Sequence, residues 1–173
     1  MSATSLIERI ELSFPDSPFP EMTLSQAQLL DQTLDREISE SEWDATGRID
    51  RGISWKEVDS ETLVKCDAAL SHITEEGFVY YIPAYMRLAL RQLVDRTDPP
   101  WEAYGATIFH LSGTSNYALG RYKRFTDPQI DAVVEFLQEV RDVGGFERKM
   151  AAEDLAKYWE TPEARRCTII HLP

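Results

Sequence analysis

Few side chains in this 173-residue sequence have the types and spacing that metal sites need. The three histidines, His72, His110 and His171, stand far apart, and the two cysteines, Cys66 and Cys167, form no C-x-x-C pair. Zinc sites use histidines and cysteines at short, regular spacings. We therefore expect no metal and no cofactor, and we expect both cysteines to be reduced thiols, with Cys66 in the core.

Nucleophilic catalysis has no clear signature either. Ser112 and His110 flank Leu111, but the G-x-S-x-G turn that exposes a catalytic serine is missing. The eight glycines are dispersed and form no phosphate-binding loop. These absences favour a non-catalytic protein over an enzyme.

One short basic cluster precedes a predicted helix. Arg121, Lys123 and Arg124 come just before a helix start at Thr126. Helix N-termini favour negative charge, so an anion is one candidate occupant. The alternative, which we favour, is a solvated loop that balances the acidic helix faces.

Aromatic side chains are concentrated around Pro83. The members of this cluster, with one earlier tryptophan, are Phe78, Tyr80, Tyr81, Tyr85 and Trp55. Tyrosine and tryptophan combine a large apolar area with one polar group, so they serve either a core or a binding surface. The binding alternative is a pocket beside Pro83 walled by the four aromatics around it, with Trp55 as a further binding residue and with Tyr81 and Tyr85 orienting a small molecule. The core alternative is the commoner arrangement.

Acidic charge is concentrated in the first third of the chain. The net charge is −12, of which residues 1–62 carry −9 and the rest −3. Four acids fall within eight residues, with no basic side chain between Arg36 and Arg48: Glu37, Glu40, Glu42 and Asp44. Negative charge disfavours nucleic acid, whose phosphates it repels. The segment is either a docking surface for a basic protein or a hydrated loop.

The elements that must position these groups are mainly helical. Apolar residues recur at helical spacing along most of the chain, so we predict a mainly α fold (α-rich α+β as the alternative) in a single domain over 1–173. A minor sheet would use Ile53–Val58 and Thr168–Leu172. Residues 39–52 and 95–120 are predicted to be irregular loops.

Capping residues place several helix starts. S/T-x-x-E/Q boxes occur at Ser5, Thr23 and Thr126. Proline removes a helical hydrogen bond, so we predict a break at Ile82–Pro83 and a new helix after it. The residues on the apolar stripes are expected in the core: Leu63, Leu70, Phe78, Leu88, Ile130, Val134 and Leu137.

No segment predicts membrane insertion or secretion. The longest apolar stretch, Phe78–Leu90, is shorter than the roughly 20 residues of a membrane helix and contains Arg87. The N-terminus lacks the basic start and apolar stretch of a signal peptide. We expect a cytoplasmic protein, and the sequence indicates no oligomeric state.

The segment from Ala69 to Met86, ALSHITEEGFVYYIPAYM, resembles a bacterial family of uncharacterised proteins, the domain of unknown function 6714 family. The Trp55 stretch, the acidic residues from Asp59 and the segment FTDPQIDAVVEFL from Phe125 are similar to that family as well. The resemblance implies a bacterial, cytoplasmic protein and assigns no activity or site residue.

Two functional hypotheses follow. The first is a non-catalytic binding protein that uses its acidic surface, as an inhibitor or immunity-like partner of a basic protein. The second is an enzyme or ligand-binding module with an aromatic pocket around Pro83.

Overall fold

The computed structural model describes residues 3–95, 101–143 and 147–166. Within those ranges the chain forms helices and turns and no strand, which confirms the mainly α prediction. The helices are α1 (Ala3–Ser13), α2 (Leu24–Gln32), α3 (Glu40–Gly47), α4 (Ser60–Lys65), α5 (Ala69–His72), α6 (Glu75–Asp95), α7 (Trp101–Leu111), α8 (Asn116–Tyr122), α9 (Asp127–Val143), α10 (Glu147–Asp154) and α11 (Pro162–Arg166), with a π-helical turn at Leu155–Trp159.

Helix α6 is the centre of a single helical fold. It packs against α1, α7 and α8, while α9 packs against α1 and α10, and α2 packs against α3 and α5. Aromatic rings join these layers. Phe125 stacks on Phe78 at 6.2 Å between ring centroids and meets Phe14 edge-on at 5.9 Å.

Six of the seven predicted core residues are buried in one cluster, and Val134 is partly buried against it. Cys66 is buried as predicted, with 6% of its surface exposed. Burial raises the pKa of its thiol to about 12, so the thiol stays protonated at neutral pH.

The capping box at Thr23 is confirmed. The Thr23 hydroxyl accepts the backbone N–H of Gln26 at 3.2 Å, and the Gln26 side chain accepts the N–H of Thr23 at 3.1 Å. The box predicted at Ser5 is wrong, because α1 begins at Ala3 and Ser5 lies inside it. At Thr126 the backbone N–H donates to the Gln129 side chain at 2.9 Å.

The predicted break at Ile82–Pro83 is wrong, because α6 runs through Pro83 without interruption. A proline inside a helix costs about 3 kcal/mol. Every residue from Tyr80 to Leu90 is buried. A fully buried large apolar side chain contributes about 1.5–3 kcal/mol, so the packing of α6 outweighs the lost hydrogen bond.

Both predicted loops contain helices. Residues 40–47 form α3, whose first turn is capped by the Ser39 hydroxyl, which accepts the N–H of Glu42 at 3.2 Å. The 95–120 range holds α7 and most of α8, the latter capped by Ser115. Capping residues and tertiary packing stabilise these helices, although the apolar pattern of their sequences is weak.

The strand predicted at Ile53–Val58 is wrong. A turn covers residues 55–57, the other residues of this segment have no regular structure, and Gly52 has a φ of +80°, a conformation that favours glycine. Trp55 is fully buried, so the segment fills the core without a sheet partner. The other predicted strand, Thr168–Leu172, lies outside the described residues.

Candidate functional site

The four acids singled out in the sequence lie on and beside α3. We call residues 34–53 the acidic segment. Glu37, Glu40 and Asp44 are exposed, and Glu42 is half-buried. Glu40 and Glu42 occupy the first turn of α3, where the helix dipole favours negative charge.

Only one of these carboxylates has a cationic partner among the described residues. The Arg36 guanidinium donates two hydrogen bonds to the Glu42 carboxylate, from Nη1 to Oε2 at 2.8 Å and from Nη2 to Oε1 at 2.6 Å. This pairing lowers the pKa of Glu42 and raises that of Arg36. The Arg48 side chain donates to the backbone carbonyl of Asp44 at 3.2 Å. The Asp44 carboxylate itself has no cationic partner among the described residues.

The acidic segment also exposes apolar side chains. Leu34 is 77% exposed, Ile49 65% and Ile53 37%, which makes three of the seven large apolar residues exposed in the described part of the chain. Trp43 on α3 is half-buried. The sequence showed the charge of this segment but not the exposure of its apolar residues.

The aromatic residues proposed for a pocket beside Pro83 lie in the core. Trp55 and Tyr85 are fully buried, and Tyr81 is 2% exposed. The Trp55 ring donates to the Pro15 carbonyl at 3.3 Å, and the Tyr85 hydroxyl to the Cys66 carbonyl at 2.5 Å. Burial raises the pKa of Tyr81 and Tyr85 above the usual tyrosine value. Their polar atoms therefore serve the interior, as in the core alternative.

A cavity of about 350 Å³ opens elsewhere, between the ends of α5 and α7 and one face of α8. The sequence drew attention to His110 and Arg121 separately, and the structure brings both to this cavity with Ser71. The His110 Nε2 atom lies 3.5 Å from the Ser71 Oγ atom. Burial, assisted by the Arg121 charge, lowers the pKa of His110 to about 4, so its imidazole is neutral at pH 7.

Two arrangements that sequence analysis considers do not occur in the part of the chain that is described. No three His, Cys, Asp or Glu side chains there converge as metal ligands. None of the helices there is long and apolar enough to cross a lipid bilayer.

A family model described as a family of unknown function, DUF6714, matches residues 2–163. The chain belongs to this family. Neither a curated protein nor a solved structure gives a significant match. The family is described as one of unknown function, so the match assigns no activity to this chain.

Proposed function

We propose that this DUF6714 protein is a non-catalytic binding protein that docks a basic protein on its acidic segment. The observation that carries the proposal is the combination, within residues 34–53, of uncompensated carboxylates and exposed apolar side chains. Leu34 and Ile49 expose more than half of their surface to water.

The chemistry of protein interfaces supports this combination. Apolar side chains at the centre of an interface supply affinity, because binding removes them from water. Charges around them supply partner choice and a faster encounter with an oppositely charged protein. Glu37, Glu40 and Asp44 provide such charges beside Leu34 and Ile49.

The charge of the whole chain points to the same class of partner. A net charge of −12, mostly from residues 1–62, attracts basic proteins and repels phosphate backbones. We infer a cytoplasmic, bacterial setting and an inhibitor or immunity-like role, in which one protein masks a basic surface of another. The core position of Trp55, Tyr81 and Tyr85 makes the alternative pocket around Pro83 the weaker candidate.

The first experiment is site-specific photo-crosslinking in the native cell. A crosslinking residue replaces Ile49 in one protein and Leu12 of α1 in the control, since Leu12 is 88% exposed and lies outside the acidic segment. We expect a basic protein to crosslink at position 49 and not at position 12. Equal crosslinking at both positions, or none at 49, would contradict the proposal.

The second experiment measures the association of that purified partner. The variant Glu37→Gln/Glu40→Gln/Asp44→Asn changes the net charge from −12 to −9 and keeps the Arg36–Glu42 pair. The matched control, Glu8→Gln/Glu21→Gln/Glu57→Gln, makes the same change at exposed acids that form no ion pair with the described residues.

We expect the acidic-segment variant to associate more slowly and with a weaker dependence on salt, while the control stays close to wild type. Steered association falls steeply with ionic strength, so measurements at two salt concentrations separate it from a contact effect. Identical slowing in both variants would mean that only total charge matters and would remove the acidic segment as the docking site.

A further inference from the structure

The cavity between α5, α7 and α8 contains an unusual arginine. The polar and aromatic residues that line it include Ser71, Phe109, His110, Ser112, Tyr117 and Arg121. Arg121 is only 2% exposed. Buried arginines are rare unless an anion pairs with them, so its surroundings decide what the cavity can bind.

Two aromatic rings pack against the Arg121 guanidinium. Its central carbon lies 4.7 Å from the centroid of the Phe78 ring and 4.0 Å from that of Tyr117. Such stacking stabilises the cation and fixes the plane of the group. The N–H groups of a guanidinium point outward in its plane, so its edges make the hydrogen bonds.

Neutral acceptors use one of those edges. The Nη2 atom donates to the carbonyl of Ile73 at 3.2 Å, lies 3.5 Å from that of Ser71, and contacts the Tyr117 hydroxyl. The Nε atom is buried and has no hydrogen-bond partner in the described structure. The stacked arginine is therefore held in place with part of its donor capacity unused.

No carboxylate within the described residues forms an ion pair with Arg121. Its neighbour Arg124 differs, because it pairs with Glu75 and Glu76 at 2.9 Å each. Burial lowers the pKa of Arg121 from its usual value, which reflects the cost of a charge removed from water. The charge of Glu75 acts in the opposite direction and raises the pKa of Arg121, but the Glu75 carboxylate forms its ion pair with Arg124. The buried guanidinium thus has no directly bonded carboxylate among the described residues.

The rest of the cavity wall combines neutral polar groups with apolar surface. The hydroxyls of Ser71 and Ser112 and the neutral imidazole of His110 are polar groups without charge. Phe109, 64% exposed, and Met150 supply apolar area. The loop between α7 and α8, which lines the cavity, is held by Tyr122, whose hydroxyl donates to the His110 carbonyl at 2.7 Å and accepts the Gly113 N–H at 3.2 Å.

We propose that this cavity binds a small organic anion, whose carboxylate or phosphate group meets the edge of Arg121 and whose apolar part lies against Phe109 and Met150. Guanidinium edges match the geometry of both oxyanions, and the Ser71 hydroxyl supplies a further donor. The Ser112 hydroxyl already donates to the Phe109 carbonyl at 2.9 Å. This site is independent of the acidic segment and of the proposed basic partner. Inorganic phosphate and the phosphate of an organic ester share the same recognition chemistry, so the test includes both.

The test titrates three probes, benzoate, phenyl phosphate and inorganic phosphate, into the purified full chain by calorimetry and ligand-observed NMR. We expect saturable binding of at least one probe, and the preferred probe identifies the oxyanion. Arg121→Gln is compared with Lys123→Gln, which removes the same charge from an exposed residue two positions away and outside the cavity. Arg121→Gln should weaken binding by about tenfold or more, as expected for loss of a charged hydrogen bond, and Lys123→Gln should not.

A second variant covers the case in which Arg121→Gln fails to fold. Ser71→Phe adds bulk at the exposed rim of the cavity and keeps the backbone carbonyl that Arg121 contacts. It should also weaken probe binding by about tenfold, with an unchanged melting temperature. No saturable binding of any probe, full affinity in Ser71→Phe, or equal loss in Lys123→Gln would overturn the proposal.

Discussion

Leu137 lies on the buried face of α9 with none of its surface exposed. Replacing it with alanine removes apolar contacts and leaves a cavity, so we expect Leu137→Ala to lower the free energy of unfolding by about 2–5 kcal/mol. Leu34→Ala is the matched control, because Leu34 is 77% exposed and should cost less than about 0.5 kcal/mol. Chemical denaturation of both variants gives the comparison, and equal stabilities would show that this face of α9 is misassigned.

The buried carboxyl of Asp154 makes the stability of the fold depend on pH. The residue is 6% exposed, and its Oδ2 atom is buried without a hydrogen bond in the described structure. Burial raises its pKa to about 6, against the lowering effect of Lys157. The unfolded chain ionises this group at a lower pH than the folded chain does. The carboxyl therefore destabilises the fold increasingly as pH rises from about 4 to 6, with the full cost above that range.

We expect Asp154→Asn to remove this cost. Relative to wild type, the variant should gain stability between pH 4.5 and pH 7.5, by at most about 3 kcal/mol for a shift of this size. Urea denaturation of both proteins at the two pH values measures the difference. A stability difference that does not change with pH would show that Asp154 ionises normally in the folded chain.

At the scale of elements, α6 shows the balance between the cost of a proline inside a helix and the gain from packing its buried ring. Pro83 cannot donate a hydrogen bond to the carbonyl one turn earlier, yet the helix continues through it. Pro83→Ala restores that donor but removes part of a buried ring, so the two effects oppose each other. The helical term, about 3 kcal/mol, is larger than the loss of two or so buried methylenes at about 0.8 kcal/mol each.

We therefore expect Pro83→Ala to raise the unfolding free energy by about 1 kcal/mol. Ala84→Pro is a useful contrast, because it places a second proline ring next to the first in the same buried turn and should destabilise strongly. Calorimetric melting of both variants is the measurement. A clear loss of stability in Pro83→Ala would mean that α6 depends on the ring of Pro83 for its packing.

The elements that sequence analysis predicted well are those with a local cause. The capping box of Thr23 and the wide apolar face of α9 depend on neighbouring residues, and both are present. Helix α3 has a local cap at Ser39 but a weak apolar pattern, and it was missed because much of its support comes from α2, including a hydrogen bond from the Gln26 side chain to the Trp43 carbonyl at 3.1 Å. Tertiary contacts of this kind leave no periodic signal in the sequence.

The acidic segment and the cavity between α5, α7 and α8 also differ in whether neighbouring residues reveal them. The charge of the acidic segment is a property of neighbouring residues and was visible in the sequence. The cavity depends on Ser71, His110 and Arg121, which are separated along the chain and meet only because α5, α7 and α8 converge. A Tyr117–Arg121 pair four residues apart on one helix was the only local sign of the stacked arginine.

At the scale of the whole molecule, the net charge of −12 acts against the fold as well as for solubility. Like charges held close together repel one another, and salt screens them over about 8 Å at physiological ionic strength. Most ion pairs on the described surface are exposed and contribute little. Salt weakens both the repulsion among the excess carboxylates and the attraction within the exposed ion pairs. We expect the repulsion to be the larger of the two.

We expect the melting temperature of the wild type to rise when sodium chloride increases from low to physiological concentration. The variant Glu37→Gln/Glu40→Gln/Asp44→Asn should melt at or above the wild-type temperature in low salt and should show a smaller rise, since three mutually repelling charges are gone. The control Glu8→Gln/Glu21→Gln/Glu57→Gln separates local from total charge: equal rises in the two variants would assign the effect to the net charge alone. A wild-type melting temperature that falls with salt would show that attractive pairs such as Arg36–Glu42 dominate the surface, and the unpaired carboxylates would then carry no stability cost.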